Sequence, residues 1–167
     1  MKTLALVLFL MLASITVSTS PASAVQGKWQ TYRGAYFEIK YPAGFKARGS
    51  QRSDGELYDS AFFAAPDGGV EFYVFSPIWN GEPADIEINE STETYVSQNT
   101  QTNRGIKVRR VTIRAKDGSY LRSFEDTENT NTNNRTVFGI KYRDQTVYSK
   151  YRQSYLTFKK SIKQFAD

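Results

Sequence analysis

An α+β fold built on antiparallel strands follows from three features of the sequence. Short apolar stretches alternate in parity between Gly, Pro, Asn and Asp turns, one stretch is apolar on both faces, and a helical stripe closes the chain. In residues 35–41, Ala35, Phe37, Ile39 and Tyr41 alternate with Tyr36, Glu38 and Lys40, which makes a strand with one buried face. Pro42-Ala43-Gly44 ends it, because Pro presets a turn and offers no amide to a central ladder. Residues 57–65 and 70–76 follow as two strands joined by the hairpin turn Pro66-Asp67-Gly68-Gly69. Val70, Phe72 and Val74 share one face of the second, and Glu71, Tyr73 and Phe75 the other. A strand apolar on both sides is predicted to be central and covered twice.

Residues 77–83, with Trp79-Asn80-Gly81, read as a loop. A meander follows, broken at Asn103-Arg104-Gly105, at Lys116-Asp117-Gly118 and at residues 129–134. Residues 90–102 fit an edge strand or a short helix equally. Between Val108 and Val111-Thr112-Ile113 the apolar parity switches, which a bulge at Arg109-Arg110 would absorb. The Asn- and Thr-rich tip at 129–134 cannot pack a core and is expected to be mobile. Last comes the helix. Asp144 caps it, and Tyr148, Tyr151, Tyr155, Phe158, Ile162 and Phe165 follow at alternating spacings of 3 and 4, one stripe along about five turns.

Residues 1–24 carry Lys2, an apolar stretch from Leu4, a polar region and Ala22-Ser23-Ala24. This order predicts a secretory signal cleaved between Ala24 and Val25, leaving residues 25–167 as one domain. No Cys is available for a lipid and no twin-Arg pair is present. No later stretch reaches the roughly 20 apolar residues that span a bilayer. The product is therefore read as an exported periplasmic or extracellular monomer with no transmembrane segment after cleavage.

The run Phe37-Glu38-Ile39-Lys40-Tyr41-Pro42-Ala43-Gly44-Phe45 resembles the opening of PsbP-like domains, in which an F-x-I-x-Y-P-x-G-F run follows a Trp- or Tyr-containing lead, here Trp29 and Tyr32. The late hairpins and the helix bearing Tyr151, Phe158, Ile162 and Phe165 are similar to that family's C-terminal half. The resemblance implies an α-β-α sandwich with the antiparallel sheet as its middle layer. It also implies a non-catalytic accessory or binding role. Metal-binding members use His, which this chain lacks, so that property does not carry over.

Composition excludes much chemistry. The chain has no Cys and no His, and both methionines, Met1 and Met11, lie in the signal. No tetrahedral zinc, haem, copper or iron-sulfur site of the usual kinds can be built, and no Ser-His-Asp triad or thiolate nucleophile exists. No cofactor and no metal are expected. Glu38, Glu56, Asp59, Glu71, Glu125 and Asp126 could in principle form a hydrolytic pair, but nothing in the sequence sets two across a cleft. An enzyme would need two carboxylates in one cleft with at least one raised pKa. Gly68-Gly69 is a turn, not a phosphate loop, and the acid-rich stretch with Asp85, Glu87 and Glu90 lacks the order of an EF-hand.

Cations remain the candidate contacts. Without Lys2 there are 21 basic and 17 acidic side chains, a formal charge of +4, too modest for nucleic acid to be expected as a partner. Arg104, Lys107, Arg109, Arg110, Arg114, Lys116 and Arg122 crowd two neighbouring strands. Arg110, Thr112 and Arg114 on one face with Arg122 beside them would make a guanidinium row for phosphate, sulfate or carboxylate. The competing arrangement is cross-strand pairing with Glu125, Asp126 and Glu128. Lys159, Lys160 and Lys163 form a second basic region, which also suits a helix C-terminus, and Trp79 is the candidate loop contact. These features predict an exported, non-enzymatic binding or accessory domain that recognises a protein or an anionic envelope polymer. The alternative is a secreted hydrolase inhibitor or a weak carboxylate-based hydrolase.

Overall fold

The computed structural model describes residues 27–165; the signal segment and its Ala24–Val25 junction lie outside them. Strand β1 (Trp29–Arg33) pairs antiparallel with β2 (Phe37–Pro42), whose Phe37, Ile39 and Tyr41 all turn inward as their alternation requires. Strands β3 (Lys46–Gly49), β4 (Ser60–Ala64) and β5 (Val70–Phe75) form a meander, with Gly68 supplying the positive φ of 64° that the β4–β5 turn needs. Strands β6 (Glu93–Asn103), β7 (Ile106–Ala115), β8 (Leu121–Asn129) and β9 (Asn134–Tyr142) form a second meander, and helix α1 (Gln145–Lys160) and the short β10 (Lys163–Gln164) complete the chain. β9 closes against β5, so one seven-stranded antiparallel sheet runs β3-β4-β5-β9-β8-β7-β6. β10 pairs with β2 to give a separate sheet ordered β1-β2-β10.

One face of the large sheet buries Ala61, Phe63, Val70, Phe72, Val74 and Ile140 against Val147, Tyr151, Tyr155 and Phe158 of α1 and against Phe37, Ile39 and Tyr41 of the small sheet. Phe158 is wholly buried, its ring centroid 5.2 Å from Phe63 and 5.3 Å from Phe72. The opposite face buries Tyr73, Phe75, Val111, Ile113, Phe124 and Val137, with Ile86 from a 3-10 turn (Ala84–Ile86) packed on them. Strand β5 thus lies between two apolar layers, as its two-faced sequence predicts. The α+β class holds. Among the described residues the second layer is an irregular segment with one 3-10 turn, and α1 is the only α-helix.

Four local expectations change. Within residues 90–102 the chain is turn to Thr92 and strand from Glu93, because β6 completes a two-residue hairpin in which Arg104 and Gly105 both take positive φ, 49° and 78°. The bulge lies on β6 at Val96, not at Arg109-Arg110; β7 pairs with β8 in unbroken register and Val108 simply occupies the face opposite Val111. The 129–134 tip is a turn bonded to its neighbour. Thr130 donates its amide and hydroxyl to the Gly105 carbonyl, and the Asn131 amide group donates to that of Arg104, all at 2.9 Å. The helix starts as expected, with Asp144 accepting from the Val147 amide at 2.9 Å, but stops at Lys160. There the Ser161 hydroxyl accepts from the Lys40 amide at 2.9 Å and the chain turns to pair with β2, so Phe165 belongs to a sheet edge.

Candidate functional site

After β5 the buried Pro77, and then Pro83, interrupt strand pairing, and residues 77–92 cross the sheet face formed by Tyr73, Phe75, Val111, Ile113, Phe124 and Val137. Polar anchors hold this strap. Asp85 accepts from the Ser50 and Ser60 hydroxyls, each at 2.7 Å, and from the Tyr73 hydroxyl at 3.2 Å. Burial, then the charge of Asp85, pushes the Tyr73 hydroxyl far above its ordinary pKa, so it stays a donor. Arg135 donates to the Gly81 carbonyl at 3.2 Å, and Arg122 to the Glu87 carbonyl at 2.7 Å.

Both arginines are held by carboxylates on the sheet. Arg135 grips Asp126 through two bonds of 2.9 Å, and Arg109 donates to the same carboxylate at 3.2 Å. Arg122 grips Glu93 through bonds of 2.7 and 2.6 Å, while the Asn89 amide and the Tyr120 hydroxyl donate to it at 2.9 and 2.7 Å. Burial opposes ionisation of Glu93, yet these donors outweigh it and hold its pKa at about 2. Glu93 is a fixed anion at neutral pH.

Between the strap and strands β6 to β8 an open groove of about 480 Å³ remains. That is the size of many ligand sites. Ile86, Ile88, Val111, Ile113, Phe124 and Tyr95 supply its apolar wall. Its rim carries both signs: Lys107 with Glu128 at 3.3 Å, Arg109 and Arg135 about Asp126, and Glu82 and Glu87 on the strap. A smaller hollow of about 240 Å³ opens beside it over Gly139. A Cβ there would stand 2.6 Å from the Phe124 ring, so only glycine lets Phe124 cross β9. Glu71 lines this hollow with its pKa raised, chiefly by burial against the lowering influence of Lys141 and Arg48. Glu93 lines it too, so two carboxylates of unlike pKa do share a cleft. The Glu93 oxygens are already filled by Arg122, Tyr120 and Asn89, so Glu93 offers no free base or nucleophile, and Glu71 is left without a hydrogen-bonding partner among the described residues.

The predicted cations fall into three places. Arg110, Thr112 and Arg114 do share a face, but Arg122 stands opposite Ile113 on the other side of the sheet, bound to Glu93. Cross-strand pairing is what the register produces: Arg110 meets Glu125 at 2.9 Å, Arg109 meets Asp126, and Lys107 meets Glu128. Lys159 comes to the same Glu125 at 2.7 Å, and these two cations outweigh burial to lower its pKa. Arg114, Lys160 and Lys163 are exposed and enter no ion pair among the described residues. Lys163 sits on β10, away from Arg114, and Trp79 is half-buried with its ring edge-on to Tyr36 at 4.9 Å. Sequence reasoning missed Arg135 and the anchoring role of Asp85. Arg135 stands opposite Glu128 but binds Asp126 diagonally, a choice that needs the β8–β9 register.

The sequence matches no family model and no curated protein. Among solved structures the chain is similar to cyanobacterial PsbP (CyanoP) from Synechocystis sp. PCC 6803, with a TM-score of 0.49 and 12% identity over 92% of this chain and 99% of that one. It is also similar to the Ran-binding protein Mog1p of Saccharomyces cerevisiae, with a TM-score of 0.44 and 8% identity over 83% of this chain and 96% of that one. No helix among the described residues is long and apolar enough to cross a membrane.

Proposed function

We propose that this chain is an exported, non-enzymatic binding domain that takes a segment of a partner protein in the groove under the 77–92 strap. One observation carries the reading: a groove floored by the largely buried Ile86, Val111 and Phe124 and flanked by half-buried Ile88 and exposed Tyr95 opens beneath a rim that sets Lys107, Arg109 and Arg135 among Asp126, Glu128, Glu82 and Glu87. A polypeptide offers apolar side chains and both charge signs together, whereas a polyanion would meet as much repulsion as attraction on this rim. Glu93, Asp126, Glu125 and Asp85 are engaged as structural acceptors, which leaves Glu71 as a lone unpaired carboxylate in the smaller hollow and supports a binding role over two-carboxylate hydrolysis. Export rests on the charged, apolar and small-residue order of residues 1–24.

A second reading has its own support. Arg114 is exposed without a counter-ion among the described residues, on the flank that also carries Arg110, which favours an anionic envelope polymer there. Affinity capture from envelope extract, using the wild type, Ile88→Arg and the triple reversal of Arg110, Arg114 and Lys160 to Glu, separates the two. The groove reading expects a partner retained at high salt, lost with Ile88→Arg and kept by the triple reversal. Retention that vanishes in salt and in the triple reversal, but survives Ile88→Arg, would transfer the function to the cationic flank.

A further inference from the structure

We propose that the smaller hollow over Gly139 binds a free α-amino acid with an apolar side chain. One row across the large sheet sets Arg48, Phe62, Tyr73, Gly139 and Phe124 side by side, from β3 to β8. Phe124 leans over Gly139 to meet the Tyr73 ring edge-on at 6.1 Å, and Phe62 meets Tyr73 at 4.8 Å, so the hollow has an aromatic floor. Its volume of about 240 Å³ lies below that of drug-sized sites, which calls for a small occupant. In the neighbouring row of the same face Glu71 stands directly opposite Lys141, and both open on the hollow with Arg48.

The charges of the hollow select the ligand. A Glu and a Lys directly opposed on neighbouring strands ordinarily pair. Here the Lys141 ammonium lies 4.0 Å over the Tyr120 ring instead, and the Arg48 guanidinium 4.7 Å over the Phe62 ring. Neither enters an ion pair among the described residues, and the part-buried Glu71 carboxylate has no donor. A part-buried carboxylate without donors is costly to keep ionised. A ligand ammonium supplies the donors that Glu71 lacks, and a ligand carboxylate accepts from Arg48 and Lys141. Around the hollow Arg48, Lys141 and Arg122 balance Glu71, Asp85 and Glu93. A lone cation or anion would upset that balance, whereas a zwitterion preserves it. An α-amino acid carries both charges on one carbon, and its apolar side chain finds the Phe62 and Tyr73 rings. The site goes beyond the groove reading and does not depend on it, since Arg48, Glu71 and Lys141 do not line the groove.

Titration of the purified protein with L-leucine, followed by backbone amide NMR, tests the proposal. The expected result is a saturable shift of the Phe62 and Gly139 amides with a Kd of about 100 µM or tighter. Leucinamide, which keeps only the ammonium, and N-acetylleucine, which keeps only the carboxylate, should each bind about tenfold more weakly or worse. Glu71→Gln should weaken L-leucine by about tenfold or more without lowering the melting temperature, and should leave N-acetylleucine unaffected. Lys141→Gln should weaken L-leucine and leave leucinamide unaffected. Ile88→Arg, in the groove, should leave L-leucine binding intact, so the two readings stand or fall separately. No shift with L-leucine, a blocked ligand that binds as tightly as the free amino acid, or an affinity indifferent to Glu71→Gln would each overturn the proposal.

Discussion

Glu93 shows how far one side chain can be committed. It is nearly buried, accepts from Arg122, Asn89 and Tyr120, and holds a pKa of about 2 against an ordinary 4.5. A carboxylate whose folded pKa is depressed adds stability above the unfolded pKa and loses it as pH falls through the folded one. The contribution is on the order of 3 kcal/mol at neutral pH and should fade between about pH 5 and pH 2. Denaturant melts across that range should show the loss in the wild type and a flatter profile in Glu93→Gln, which starts less stable. The pair was not legible in the sequence: Glu93 and Arg122 are 29 residues apart and meet only after β6, β7 and β8 are in register. What could be read was the directly opposed pairing, because Arg110 with Glu125 and Lys107 with Glu128 follow from one hairpin turn.

At the scale of elements, the strongest periodicity translated most directly. Alternation gave β2 and β5 their buried faces, and the 3–4 spacing gave α1 its contact side. Truncating Phe158→Ala should cost about 3–5 kcal/mol, since the ring is wholly enclosed by Phe63, Phe72 and Phe138. Asp144→Ala should cost only about 1 kcal/mol, the loss of one cap bond to Val147. Thermal melts of the two variants check the ranking. Where periodicity misled, a contact from elsewhere in the chain decided the outcome. The stripe continues through Ile162 and Phe165, but Ser161 bonds to Lys40 and β10 pairs with β2, so the helix ends more than one turn before the pattern does. The parity switch in β7 needed no bulge, because its Val108 faces a flank that α1 does not cover.

At the scale of the whole molecule, the two faces of one sheet have separate tasks. The helix and small sheet seal one face with aromatic packing, while the other is closed only in part by a strap pinned through Asp85, Arg122 and Arg135. The groove exists because the strap bridges the sheet without filling the space over β7 and β8. Asp126 is the keystone of that arrangement, and Asp126→Ala would leave Arg109 and Arg135 facing each other without their carboxylate. A loss of about 3–5 kcal/mol is expected, with faster proteolysis inside the strap than elsewhere. The sequence showed the strap's Pro boundaries and acidic character, but not the sheet face it crosses, which depends on β9 rather than β6 pairing with β5.

Photo-crosslinking in intact cells, with the reactive group placed in turn at Ile88 on the strap and at Arg152 on the exposed side of α1, tests the groove reading most directly. A discrete protein adduct from position 88, absent from position 152 and abolished when Val111 is replaced by Arg, is the predicted result. No adduct from position 88, or equal adducts from both positions, would contradict a partner seated under the strap.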